Sequence, residues 1–383
     1  MHSSKRTNQP AVTPRLLLCC VVAVCSMLAA GPLASAAPPP TKAQAEADAA
    51  GYQIGYDQRP DVQHFIDQMV QKHGFVREQL VAAFKRARYN ETVSRLINPS
   101  SPSRPKVWDE YRGRFVEPIR IAAGVQFWRA HAADLERAAK TYGVPADVIV
   151  GILGVETLYG RNTGSFREID ALTTLSFDYP DKSHDRSAFF QEQLEDYLVM
   201  ARDNNSDLLG QRGSYAGAIG MPQFMPSSFI YAVDFDGDGV IDLTNSGSDA
   251  IGSVANYLAQ QGWQRDSPVV LAATLQSNPA SAITLDALAA AGPEPTLDAS
   301  QLRDAGLNFD MPLESSAKVA LIDLPEGDAP TQYAVGFQNF FVLTRYNRSY
   351  FYALAVLDLG RAVRAQLNAT PSPALAPSST LSQ

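Results

Sequence analysis

The sequence predicts an α+β fold, mostly helical, with a small antiparallel sheet inserted late in the chain. Two observations carry this. Up to Trp263 apolar residues recur at helical spacing, whereas beyond it short β-branched and aromatic runs take over. The last such run is followed by one more helical pattern before a Ser, Ala, Pro and Thr tail.

The first element is an address. Residues 1–15 carry Lys5, Arg6 and Arg15 and no acid, and an apolar run from Leu16 to Ala30 precedes Gly31-Pro32 and Ala34-Ser35-Ala36. This is the layout of a secretory signal peptide cleaved after Ala36. Fifteen apolar residues reach only about 22 Å as a helix, short of the hydrocarbon thickness of about 30 Å, so no stable membrane span is expected after cleavage. Cys19, Cys20 and Cys25 all lie inside that run, and no small residue precedes Cys19 or Cys20. Lipoprotein anchoring is therefore disfavoured, and the mature chain is expected to hold no disulfide and no thiol ligand.

Residues 37–54 read as a linker and 55–143 as a helical domain. In the latter, Val62, Phe65, Ile66, Met69 and Val70 form one face, Leu80, Ala83 and Phe84 begin another, and Ile119 to Tyr142 make one long pattern. A second block, 144–265, continues with helical stretches at Val144 to Gly160, Ser187 to Arg202 and Ala250 to Gln261. Residues 266–345 carry the strand-like runs Val269 to Leu271, Lys318 to Leu324 and Tyr333 to Leu343, with turn residues Pro325 to Asp328 between the last two. Residues 346–367 are expected to return as a C-terminal helix, and 368–383 to be disordered.

Composition narrows the function. With 45% hydrophobic and 19% charged residues and a net charge of -8, the chain is a soluble globular protein rather than a polyanion binder. Removing the three basic residues of the signal leaves 32 − 3 = 29 bases against 40 acids, a net charge of -11. No nucleic acid partner is expected. His64, His73, His131 and His184 are scattered, which offers no zinc site.

One residue departs from its surroundings. The stretch from Val144 to Gly160 is apolar on nearly every face, with Pro145 suited to the first helical position, Gly160 to the C-cap, and Gly151 and Gly154 leaving room for neighbouring backbone. Glu156 lies on the same stripe as Ile149, Ile152 and Leu153. Desolvation there raises a carboxyl pKa towards neutrality, as a general acid needs. The competing reading is a glutamate neutralised by Arg161 or Arg167, or one emerging at the helix end.

Gly154-Val155-Glu156-Thr157-Leu158-Tyr159-Gly160 resembles the E-[ST]-x-x-G signature of lysozyme-like lytic transglycosylases. Its Val-Glu-Thr form after Gly-Val-Pro is similar to the membrane-bound lytic murein transglycosylase B family. Three further segments agree in order: Ala171 to Phe177, Gly213 to Ser228 and Asp249 to Tyr257. The resemblance covers roughly residues 55–365. It implies a lysozyme-like catalytic core and a periplasmic enzyme, monomeric, acting on peptidoglycan glycan strands. The reaction implied cleaves the β-1,4 bond between N-acetylmuramic acid and N-acetylglucosamine without water and leaves 1,6-anhydromuramic ends. Glu156 would act first as acid, then as base, with the substrate's acetamido group stabilising the oxocarbenium-like centre. The same resemblance assigns Tyr111, Ser214, Gln223, Tyr257, Tyr346, Asn347 and Tyr352 to substrate binding. Two alternatives stay open. One is a muramidase that hydrolyses the same bond and needs a second carboxylate, for which Asp170 is the candidate against a plain helix cap. The other is a calcium-dependent, non-catalytic peptidoglycan-binding protein.

Asp234-Phe235-Asp236-Gly237-Asp238-Gly239-Val240-Ile241-Asp242 matches the first nine positions of an EF-hand loop. Position twelve is Asn245 rather than Glu. The family resemblance closes the loop with a later aspartate, here Asp249, giving Asp234, Asp236, Asp238, the Val240 carbonyl and Asp249 as the expected ligands of a structural Ca²⁺.

Overall fold

A computed structural model describes residues 55–98, 107–276 and 282–369. The signal peptide, the linker and nearly all of the expected tail lie outside them. Helices α1 (Pro60–His73), α2 (Arg77–Arg86) and α3 (Glu91–Ile97) come first. They are followed by α4 (Trp108–Gly113), α5 (Pro118–Ala130), α6 (Ala132–Tyr142) and α7 (Ala146–Thr157). Next come β1 (Phe166–Arg167), α8 (Glu168–Phe177), α9 (Ser187–Asp203), β2 (Arg212–Gly213) and α10 (Gly247–Gln260).

The late insertion comprises β3 (Val270–Leu275), α11 (Ala282–Ala289), β4 (Leu297–Asp298), α12 (Ala299–Asp304), β5 (Leu307–Asn308), β6 (Lys318–Glu326) and β7 (Ala329–Gly336). Its five strands are antiparallel in the order β4-β6-β7-β3-β5. The β6–β7 hairpin turns at Gly327-Asp328, inside the segment whose turn residues announce it. Helices α13 (Gln338–Tyr346) and α14 (Tyr350–Ala369) come last among the described residues. Mostly helical with a small antiparallel sheet is the predicted class. Among the described residues no single helix is long and apolar enough to cross a membrane.

The burial pattern explains the layout. α7 buries Val148 to Val155 without interruption, so it needs neighbours all round. α14 is one of them, and Gly151 is what lets it close. A Cβ there would collide with the Val356 carbonyl, and one at Gly360 would collide with the Asp147 carbonyl. Gly154 differs from expectation, because its open side is filled by the Tyr159 ring and the Leu359 side chain rather than by backbone. α4 to α7, α10, α13 and α14 share one core; α1 to α3 pack with α8 and α9 on a second; the sheet has its own with α11 and α12.

Several local expectations change. The pattern from Ile119 to Tyr142 is two helices broken at His131, which ends α5 and starts α6 at φ -118° and ψ 27°. No Gly or Pro marks the break, so an unbroken apolar period hides it. The run Tyr333 to Leu343 is strand only as far as Gly336; Phe337 then caps α13. Aromatic and β-branched runs this short suit either state, and burial decides between them. Here Phe340, Val342 and Leu343 are fully buried, while the buried Asn339 amide donates to the Gln264 and Ser267 carbonyls. Pro145 is the N-cap of α7 rather than its first helical residue. The C-terminal left-handed turn begins at Leu158 and Tyr159, two residues before Gly160.

Candidate active site

α7 ends at the site. Thr157 stitches that end to the opposite loop: its hydroxyl donates to the Met221 carbonyl at 2.9 Å and accepts from the Gly160 amide at 3.0 Å. Glu156 is thereby held at the last turn, partly open to solvent and otherwise enclosed by apolar neighbours. Burial pushes its carboxyl up to about 7, against the opposing pull of one hydrogen bond. That bond comes from Tyr352, whose hydroxyl donates to Glu156 Oε1 at 2.6 Å. The Tyr352 phenol is itself held well above its ordinary range by burial and by the Glu156 carboxyl, so it stays a neutral donor.

Tyr346 stacks on Tyr352, with centroids 6.3 Å apart and planes 12° apart, and donates to the Pro222 carbonyl. Tyr257 packs edge-on to Tyr346 at 5.0 Å and donates to the Arg345 carbonyl at 2.9 Å. With Gln223, Phe224, Met225 and Ser228 these two rings line one small hollow. Gln223 sits in the left-handed region at φ 50°, and its amide donates to the Thr163 and Gly220 carbonyls. Tyr111 lies on the other flank, stacked on Trp108 and edge-on to Phe351, near enough to Tyr352 to act on its phenol. Asn347 ends α13 with its side-chain oxygen on the Ser349 amide. Ser214 is buried, its hydroxyl accepting from the Ala216 and Ala218 amides. The hydroxyls of Tyr257 and Tyr346 thus tie α10 to α13 and α13 to the Pro222 backbone, and their rings line the hollow.

Two of the downstream acids, Asp170 and Asp178, are engaged elsewhere. Asp170 pairs with Arg167 at 2.7 Å and accepts from the Arg88 amide at 2.8 Å, so it ties α8 to the chain after α2 instead of capping its own helix. Asp178 takes the Tyr56 hydroxyl at 2.6 Å and the Arg59 guanidinium at 2.8 Å. Arg167, one of the two cations considered as a neutraliser of Glu156, is engaged by Asp170.

In the acidic loop, Asp234, Asp236 and Asp249 bring carboxyl oxygens within 4.8 Å of one another. Asp249 enters from the first turn of α10 and accepts from the Phe235 and Asp242 amides. Asp238 stands outside that group with its carboxyl on the Val240 amide, and Val240 is half exposed. The donor set is all oxygen and anionic, which fits a hard divalent cation.

Sequence reasoning overlooks Glu168. It is fully buried and neither carboxyl oxygen has a hydrogen-bond partner. Written as Arg167-Glu168-Ile169-Asp170, it looks like one more acid of a helix first turn.

A transglycosylase SLT domain family model matches residues 57–361. The membrane-bound lytic murein transglycosylase B of Escherichia coli (strain K12) is 43% identical over 322 residues, covering 81% of this chain and 85% of the relative. The crystal structure of the soluble lytic transglycosylase SltB1 from Pseudomonas aeruginosa is similar with a TM-score of 0.73 and 45% identity, over 80% of this chain and 99% of that one. The Escherichia coli lytic transglycosylase Slt35 in complex with calcium gives a TM-score of 0.71 and 43% identity, over 81% of this chain and 94% of that one. With the family model spanning all three cores and these relatives matched over most of their own length, this chain belongs to the lytic murein transglycosylases of the SLT domain family.

Proposed function

We propose that Glu156 performs both proton transfers of a non-hydrolytic cleavage between N-acetylmuramic acid and N-acetylglucosamine. The observation that carries this is an enclosed carboxyl at the end of α7 whose proton is held near neutrality and whose Oε1 is occupied by Tyr352. Oε2 is therefore the atom left to hold and donate the proton. When the glycosidic oxygen takes it, the Tyr352 bond becomes charge-assisted and stabilises the carboxylate that remains. That carboxylate then accepts the proton of the muramyl 6-hydroxyl as its oxygen closes onto C1, and the enzyme returns protonated. Asp170 and Asp178, both tied to arginines, argue against a second carboxylate that activates water. Mass spectrometry of digested murein is expected to show muramyl ends lighter by one water; hydrated ends would favour hydrolysis.

The acidic loop is proposed to hold Ca²⁺ through Asp234, Asp236 and Asp249, as the calcium-bound relative suggests. The ion would supply charge neutralisation and a link between the loop and α10, with no part in the chemistry. Calcium is expected to raise the melting temperature by a few degrees, as for any ligand of the folded state alone. Asp236→Ala should abolish that shift; an equal shift in the variant would remove the loop from consideration. The N-terminal address and the murein substrate support export to the periplasm.

A further inference from the structure

We propose that Glu168 is a positioning residue for this reaction, its uncharged carboxyl serving as the underside of the loop that carries Ser214. The inference rests on the proposed role of Glu156. Glu168 is the first residue of α8, where its amide donates to the Gln211 carbonyl at 3.0 Å and continues the β1–β2 pairing. β2 then runs into a tight loop. The Ser214 amide donates to the Ala218 carbonyl at 2.8 Å, and the Ser214 hydroxyl accepts from Ala216 and Ala218. The chain continues through Ile219, paired with Phe224, to Gly220, whose carbonyl takes the Gln223 amide. One side of the hollow lined by Gln223 and Phe224 is thus built on this loop.

The Glu168 carboxyl lies against both ends of it. A Cβ at Gly213 would collide with Oε2, and one at Gly217 would lie 3.1 Å from Oε1. A side chain at Gly213 would displace the carboxyl. The groups around it offer no countercharge. Leu172 of α8 is apolar, Tyr197 of α9 donates its hydroxyl to the Leu208 carbonyl, and Tyr215 is the titratable group on the loop itself. Arg167 is held by Asp170 and the Arg86 carbonyl, and Arg212 of β2 reaches the Ser165 carbonyl. Burial alone pushes the Glu168 carboxyl up to about 8.

A carboxylate without a donor cannot stay in a dry site; it must draw in water or part from its neighbours. No neighbour is joined to the carboxyl by a hydrogen bond, and the glycine loop lies directly against it, so ionisation of Glu168 shifts Ser214 and the wall behind it. In the neutral state the carboxyl holds the wall in place.

The test is the alkaline limb of kcat/KM on purified murein, with Glu168→Gln as an uncharged isostere. With Glu156 and Glu168 both needing their protons, wild type should lose about one decade per pH unit above pH 7 and about two above pH 8. Glu168→Gln should keep about one decade per unit throughout, whatever its absolute rate. Equal slopes in the two proteins would overturn the proposal. Absence of the first limb, the decade per unit that begins near pH 7, from both proteins would instead count against the role of Glu156. Melting curves give a readout independent of activity. The folded state keeps a proton that the unfolded chain releases near 4.5, so wild type should lose stability relative to Glu168→Gln from about pH 4.5 to pH 8. A melting difference that does not change with pH would also overturn the proposal.

Discussion

Glu156→Gln is expected to lower murein cleavage by about 10²–10⁴-fold while leaving the fold intact. The amide oxygen can still accept from Tyr352, so the cleft keeps its shape and loses only its proton. The stability effect runs the other way. The carboxyl of Glu156 titrates at about 7 in the folded chain against an ordinary 4.5, so the folded state binds a proton that the unfolded chain gives up in that window. Stability attributable to this group therefore falls as pH rises from about 4.5 to about 7 and stays reduced above it. At pH 8 the cost is on the order of 2–3 kcal/mol, discounted for the side chain's partial opening to solvent. The variant should be the more stable protein at pH 8, with the gap closing towards pH 4.5, in parallel denaturant titrations. A variant that still cleaved murein, or that unfolded more easily at pH 8, would show that Glu156 is not the desolvated acid of this site.

This opposed pair of effects has one cause. An apolar helix with α14 drawn tightly against it is a good core element and a poor place for a carboxylate. That much is legible in the sequence, because apolar residues on every face of a short stretch leave few places for a glutamate to reach water. The partner is not legible from pattern. Tyr352 lies 196 residues further on, and only the family motif links it to Glu156. Glu168 shows the same limit without a motif to help. Its position after Arg167 suits an exposed helix start, yet Gly213 and Gly217, more than forty residues later, fold over it. Asp170 reads as a helix cap or a second catalytic acid, and its real partners, Arg167 and the Arg88 amide, show it to be a tie between helices. Periodicity reports how one segment is buried, whereas a carboxyl's protonation depends on what other segments place against it.

Tyr352→Phe separates the acid from its partner. The Tyr352 hydroxyl favours the ionised form of Glu156, so removing it leaves burial unopposed and the carboxyl pKa must rise above about 7. The alkaline limb of kcat/KM should therefore move to higher pH. At the same time kcat should fall by about ten- to a hundredfold, because Oε1 loses its anchor and the carboxylate formed after proton donation loses its charge-assisted bond. A merely structural tyrosine would lower the plateau without moving the limb. The shift is best read in a Glu168→Gln background, where the proposed second ionisation is absent and one group sets the limb. Tyr346, which keeps its own bond to the Pro222 carbonyl, should hold the stacked wall in place in that variant. A limb that stays at wild-type pH, or moves down, would mean that the Tyr352 hydroxyl does not hold the Glu156 carboxylate in the working enzyme.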